Sequence, residues 1–201
     1  MIVELALVIG GYLLGSISSA ILVCRLAGLP DPRTEGSNNP GATNVLRIGG
    51  RKAAALTLLG DMLKGLIPVS AAHLAGVGTA WIAATALAAF LGHLYPVFFG
   101  FRGGKGVATA LGVQLGLMWQ IGITVAAFWL FMAKVVRISS LSALVSMALA
   151  PMVVWWFWPE PAIVAAQLLI TLILFWRHRT NIRRLITGEE TRIGGPGDPA
   201  A

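Results

Sequence analysis

The chain has 201 residues, 57% of them hydrophobic and only 11% charged, where a soluble domain would carry about a quarter charged residues. Apolar runs recur from end to end, so no single small core could hide them, and the composition excludes a soluble protein in favour of a polytopic membrane protein. The one cysteine, Cys24, excludes an internal disulfide and a cysteine metal cluster; it reads as a buried structural residue.

In chain order, apolar spans near the length of about 20 residues needed to cross a bilayer fall at 2–24, 53–73, 79–99, 139–158 and 161–177. No basic region precedes the first, where Glu4 stands instead, so a cleaved signal peptide is not expected. A further apolar stretch runs from Gly106 to Ala133. The tail from residue 194 onward, rich in glycine and proline, is expected to be disordered.

Net charge is +7, and its placement carries the topology. Arg25, Arg33, Arg47, Arg51 and Lys52 follow the first span. Arg102 and Lys105 follow the third, Lys134 and Arg137 precede the next, and Arg177, Arg179, Arg183, Arg184 and Arg192 follow the last. Only Lys64 lies inside a span. Excess Lys and Arg marks cytoplasmic loops, so all four segments are expected in the cytoplasm and the N-terminus outside. Both ends of 106–133 are then cytoplasmic. Its length as one helix, about 42 Å, suffices for one crossing and not two, so a hairpin of two half-length helices is expected, breaking within "LMWQIG" at 117–122 with Trp119 and Gln120 at the turn. The fold class is therefore all-α, with seven helices, two of them half-length and entering from the cytoplasmic side.

Three cytoplasmic segments carry chemistry. The first, "RTEGSNNPGATNVLR" at 33–47, gathers Ser37, Thr43 and Asn44 among glycines and closes on Arg47. Glycines let backbone N–H groups turn toward an anion, hydroxyls and amides add donors, and an arginine clasps phosphate. An ordinary turn followed by a helix cap would look similar. The second, "FRGGKGVAT" at 101–109, places Gly103, Gly104, Lys105 and Gly106 ahead of a helix start, which attracts anions. It is not a nucleotide P-loop, because Phe99 and Gly106 stand where that motif needs glycine and Ser or Thr. The third, "WRHRTNIRRLITGEE" at 176–190, puts His178 and Asn181 on one helical face, while its arginines read as a patch for anionic lipid. Inside the second span, Asp61 and Lys64 are three apart and expected to pair. His93 reads as a helix-end feature, and His73 has no evident partner.

Six blocks in order, "LLGSISSA", "GSNNPGATNVLR", "GDMLKG", "GHLYPVFFGFRGGKGVATALG", "SSLSA" and "RHRTNIRRLITGEE", cover nearly the whole chain. In them the chain resembles the bacterial acyl-phosphate-dependent glycerol-3-phosphate acyltransferases, the PlsY family. The resemblance implies one integral membrane acyltransferase domain over 1–193, in the bacterial inner membrane with a cytoplasmic site. It implies acyl transfer from acyl phosphate to the 1-hydroxyl of glycerol 3-phosphate, giving lysophosphatidic acid and inorganic phosphate in the first committed step of membrane phospholipid synthesis. It further implies no cofactor, metal or nucleic acid, membrane lipid as surroundings, and no required oligomer.

By matching position, the resemblance implies that Ser37 and Arg47 bind phosphate at the reacting centre and that Gly103, Gly104 and Lys105 hold glycerol 3-phosphate. His178 and Asn181 would bind substrate and orient the attacking hydroxyl. Thr43, Asn44 and Ser140 are further substrate-binding candidates, and Glu190 a structural one. The chain departs from the pattern at Asn38, where relatives carry glycine, and at Arg102, where they carry lysine. Asparagine tolerates positive φ, so the turn is expected to survive. A transporter of organic phosphates is the rival reading, but such proteins are built from repeated halves and no repeat is visible here.

Overall fold

The computed structural model describes residues 1–193; the tail expected to be disordered lies outside them. Among the described residues there are nine α-helices, one short 3₁₀ turn and no strand. The expected count of seven is thus corrected to nine. Three helices are long and apolar enough to cross a membrane, or five if each of two bent pairs is one span.

The extra helices come from bends. The first span is split into α1 (Ile2–Gly15) and α2 (Ser19–Leu26), inclined by 43°. At the break Ser16 Oγ donates back to Tyr12 O, a bond that bends helices, and Lys64 Nζ donates to the freed Ile17 carbonyl. At the other end, α8 (Pro161–Arg177) turns through 60° into α9 (Arg179–Ile186), with His178 at the corner. α3 (Ala42–Leu74) starts well before the expected span at 53, so Thr43, Asn44 and Arg47 sit on a helix rather than in a loop. Gly50 (φ 75°) interrupts α3 and separates that first helical stretch from the span.

α4 (Thr79–Leu94) is followed by the 3₁₀ turn Val97–Phe99. The stretch after it breaks as expected within "LMWQIG", at Met118 rather than Trp119: α5 (Val107–Leu117) ends and α6 (Trp119–Val135) begins there, with Met118 extended. Only α5 is of half length; α6 measures about 25 Å. α7 (Ser139–Phe157) completes the set. α5 is enclosed by α3, α4 and α6, the setting in which interrupted helices are tolerated at membrane depth. Its close fit on α3 depends on small residues: a side-chain carbon on Gly112 would overlap the Met62 carbonyl, and one on Gly65 the Thr109 carbonyl.

Phe90, Leu94, Ile121, Met147, Ile163, Ile170 and Leu174 form the centre of one core shared by α3 to α8. Cys24 is buried in a smaller cluster with Ala20, Val45 and Ala53. Exposed Ile67, Phe131, Met152 and Leu172 mark the lipid-facing surface. α3 and α4 pack on each other, α4 on α8 and α8 on α7, and one end of this bundle carries all three segments singled out above.

Candidate active site

The glycine loop is built on the end of α4. Gly103 N–H donates to Leu94 O (3.2 Å) and Gly104 N–H to His93 O (3.3 Å), folding the loop back over the helix terminus. No side chain fits at either position: a carbon on Gly103 would overlap the His93 and Leu94 carbonyls, and one on Gly104 would meet the His93 ring and Pro40 O. The carbonyls of both glycines face Arg177, which grips Gly103 O at 2.9 Å and Gly104 O at 3.0 Å through Nη2, with Nε 3.2 Å from Gly104 O. With these amides engaged, the loop presents to an anion the Lys105 ammonium and the N-terminus of α5.

Lys105 Nζ donates to Asn181 Oδ1 (2.5 Å), Asn181 Nδ2 donates to Glu190 Oε1 (2.6 Å), and Ser140 Oγ donates to the same oxygen (2.7 Å). Four residues from three parts of the chain therefore form one hydrogen-bonded row. Burial, with the charges of Arg184, Arg177 and Arg47, lowers the Lys105 ammonium to about 8 against the pull of Glu190. An incoming phosphate dianion would reverse much of that cost, so a half-buried lysine beside three guanidinium groups is a site prepared for anion binding.

His178 caps α8 and is 3% exposed. Its Nδ1 lies 2.9 Å from Leu174 O; a carbonyl can only accept, so Nδ1 carries the proton and Nε2 keeps the lone pair. Burial, followed by the charges of Lys105 and Arg177, pushes the ring down to about 4. His178 is therefore neutral at physiological pH, with a nitrogen able to accept a hydrogen bond.

The first segment joins the same end. Asn44 is buried and sits inside its own loop, accepting from the Ser37 N–H (2.8 Å) and donating to Pro32 O (2.9 Å) and Glu35 O (3.0 Å). It shapes the turn that presents Ser37, whose side chain is exposed. Asn38 takes the left-handed conformation (φ 55°) that the replacement of glycine required. Arg47 donates to Thr191 Oγ1 (2.7 Å), next to Glu190, and Thr43 Oγ1 is 3.3 Å from Ser139 Oγ, next to Ser140. These two links tie the first segment to the residue that follows the third and to the start of α7. Among the described residues no hydrogen bond joins the Ser37 side chain to Lys105, His178 or Asn181.

Two participants escaped the sequence reading. Arg177 was grouped with the lipid-facing arginines, yet it organises the glycine loop. His93 is more than a helix-end residue: it is 6% exposed, its ring lies under Gly104, and its Nδ1 is 3.7 Å from Asp61 Oδ1. Asp61 and Lys64 pair as expected, at 2.9 Å and almost wholly buried. His73 does have a neighbour, Trp158, with ring centroids 5.3 Å apart.

Comparison with known proteins places this geometry. The family model described as glycerol-3-phosphate acyltransferase matches residues 5–188. A glycerol-3-phosphate acyltransferase of Thioalkalivibrio sulfidiphilus is 61% identical over 194 residues, 96% of each chain, and one of Methylococcus capsulatus is 55% identical over 96% of this chain and 98% of that one. Among solved structures, the glycerol 3-phosphate form of PlsY, an integral membrane glycerol 3-phosphate acyltransferase, is 40% identical, with TM-score 0.91 over 96% of both chains. Its lysophosphatidic acid form is 38% identical, with TM-score 0.88 over 94% and 95%. A match that spans every segment of the site as well as the frame that carries it admits one assignment: this chain belongs to the glycerol-3-phosphate acyltransferase family, as an integral membrane protein of the PlsY type.

Proposed function

We propose that the chain transfers a fatty acyl group from acyl phosphate to the 1-hydroxyl of sn-glycerol 3-phosphate, releasing lysophosphatidic acid and inorganic phosphate at the cytoplasmic face of the bacterial inner membrane. The observation that carries this reading is the row Lys105–Asn181–Glu190–Ser140 beside a neutral His178. It is an anion site with a hydrogen-bond acceptor next to it, and the structure relatives in glycerol 3-phosphate and lysophosphatidic acid forms support the choice of substrate and product.

Acyl phosphate is already activated, so the residues need only align and neutralise. Lys105 and the α5 N-terminus hold the phosphate of the acceptor. His178 Nε2 receives the hydrogen bond of the 1-hydroxyl and aims its oxygen at the acyl carbonyl. That oxygen bonds to the carbonyl carbon, the bond from this carbon to the phosphate oxygen breaks, and the hydroxyl proton ends on phosphate, the better base beside a ring held near 4. Ser37 and Arg47 stabilise the departing phosphate, donors of a kind worth about 10²–10³ in rate each. Holding both reactants in line supplies the remainder. No acyl-enzyme forms; an acyl group trapped on Ser37 would overturn this route.

The test is lysophosphatidic acid formation by purified protein in detergent, from labelled glycerol 3-phosphate with palmitoyl phosphate or palmitoyl-CoA and no added metal. Product from acyl phosphate alone, lost in Lys105→Ala or His178→Ala, is expected. Product from palmitoyl-CoA alone, or none from either donor in folded protein, refutes the reading.

A further inference from the structure

Behind the glycine loop stand three buried groups that the reaction proposed above does not use. Asp61 and Lys64 pair on α3 at 2.9 Å, and on α4 the Nδ1 of His93 lies 3.7 Å from Asp61 Oδ1. None of the three residues is more than 6% exposed. Asp61 Oδ1 and His93 Nδ1 are both closed to solvent without a hydrogen-bond partner among the described residues. An ion pair in hydrocarbon is satisfied by its own two members and needs no histidine at its side. At 3.7 Å the contact is too long for a hydrogen bond. A carboxylate can only accept, however, so it draws the N–H of that ring edge toward itself and fixes which way the ring faces.

The opposite edge of the ring faces the loop. A side-chain carbon on Gly104 would collide with His93 Nε2 and stand 3.0 Å from Cε1, with Pro40 O at 2.9 Å. Gly104 N–H also donates to the His93 carbonyl (3.3 Å), so one residue meets Gly104 with both its backbone and its ring. The next residue is Lys105, whose Nζ donates to Asn181 Oδ1. A histidine side chain with nothing behind it could swing aside. This ring has the Asp61–Lys64 pair behind it, anchored in turn by Lys64 Nζ on Ile17 O (2.8 Å). α3, α4 and the loop thus meet at one ring, a single residue away from the ammonium.

Resting on the reading that Lys105 holds the phosphate of glycerol 3-phosphate, we infer that His93, turned by Asp61, is a positioning residue: its ring sets the height of Gly104 and thereby the place of Lys105. The Asp61–Lys64 pair is then part of the device and not only a neutralised charge. A ring that merely fills space would support the loop equally well with or without Asp61. A ring held by Asp61 would not, and the loss would fall on the substrate that Lys105 grips.

The experiment measures lysophosphatidic acid formation by the purified full chain, with KM taken separately for glycerol 3-phosphate and palmitoyl phosphate, and calorimetric binding of glycerol 3-phosphate alone. A misplacement of about 1 Å costs on the order of 10²-fold, so His93→Ala should lower kcat/KM for glycerol 3-phosphate by about that factor. Its KM should rise while that of palmitoyl phosphate stays unchanged. Asp61→Ala with Lys64→Met, which removes both charges together and frees the ring to move, should shift the two KM values in the same way. Gly104→Ala should cost about 10²-fold in the natural chain and only severalfold in that double variant. Natural kcat/KM in His93→Ala, or KM raised alike for both substrates, overturns the inference. So does a Gly104→Ala cost that is the same in both backgrounds, and this comparison decides even if His93→Ala fails to fold. If the natural chain makes no product, the reaction proposed above falls, and the same comparisons are read from glycerol 3-phosphate affinity. Undiminished affinity in His93→Ala, or in the double variant, then overturns the inference by itself.

Discussion

Replacing Gly103 by alanine tests whether the glycine loop is held to a fixed position. The added carbon would stand 2.6 Å from Leu94 O and nearer still to the His93 carbonyl. Carbon and oxygen settle at about 3.3–3.6 Å, so the shortfall at Leu94 alone is roughly 0.8 Å. Neither neighbour can yield, because both are backbone atoms at the end of α4. The loop must lift instead, carrying Lys105 with it and loosening the Arg177 clasp. A misplacement of about 1 Å costs on the order of 10²-fold in rate, so Gly103→Ala should lose about two orders of magnitude in kcat/KM in the lysophosphatidic acid assay. Helical content by circular dichroism should not change. Gly10, on α1, has open space where a carbon would go, so Gly10→Ala serves as the neutral control. Gly103→Ala with more than half the natural activity would refute the rigid-loop reasoning.

Three further outcomes follow from the same geometry. With the Lys105 ammonium near 8, about 90% of it is charged at pH 7 and about 10% at pH 9; KM for glycerol 3-phosphate should rise severalfold across that window, and a flat profile to pH 9 would show that Lys105 does not hold the phosphate. Removing Asp61 strands the buried Lys64 charge, so Asp61→Ala should cost about 3–5 kcal/mol in unfolding in detergent, and Asp61→Ala with Lys64→Met should recover much of it; no recovery would mean that the pair is not the source. Arg177→Lys cannot reproduce a three-contact grip on Gly103 and Gly104 and should lower kcat by about 10-fold, whereas Arg179→Lys, over the exposed Trp176 ring, should leave it unchanged; equal effects would return Arg177 to the lipid-facing group.

What the sequence made legible was set by chemistry that acts locally. Twenty apolar residues announce a span wherever they occur, so the five candidate crossings were visible, and the two charges in hydrocarbon, Asp61 and Lys64, could only pair with each other. The break near 118 followed from charge placement, from the length of the stretch and from the residues at 117–122. The bends at Ser16 and His178 did not, because each is met by groups far along the chain: the Lys64 ammonium at the first, and Lys105, which donates to Asn181 on α9, at the second. The start of α3 at Ala42 was hidden because its first turns are rich in glycine, asparagine and threonine, which favour turns until tertiary contacts decide otherwise. Arg177 was indistinguishable by sequence from Arg179, since both follow the last span and only the position of the glycine loop separates them. Asn44 and Ser37 read alike as polar loop residues, yet one is buried in the turn and the other stands outside it.

The segment at 190–193 also fixes the order in which contacts at this end of the protein can form. Its contacts reach back to Arg47, Arg137, Ser140 and Asn181, residues that leave the ribosome earlier. Every crossing could be inserted in the bilayer before Glu190 and Thr191 have been synthesised, and only then could Ser140, Asn181 and Arg47 find these partners. A chain cut short at residue 188 would keep all of its helices and lose the strap that joins the start of α3 to α7 and α9.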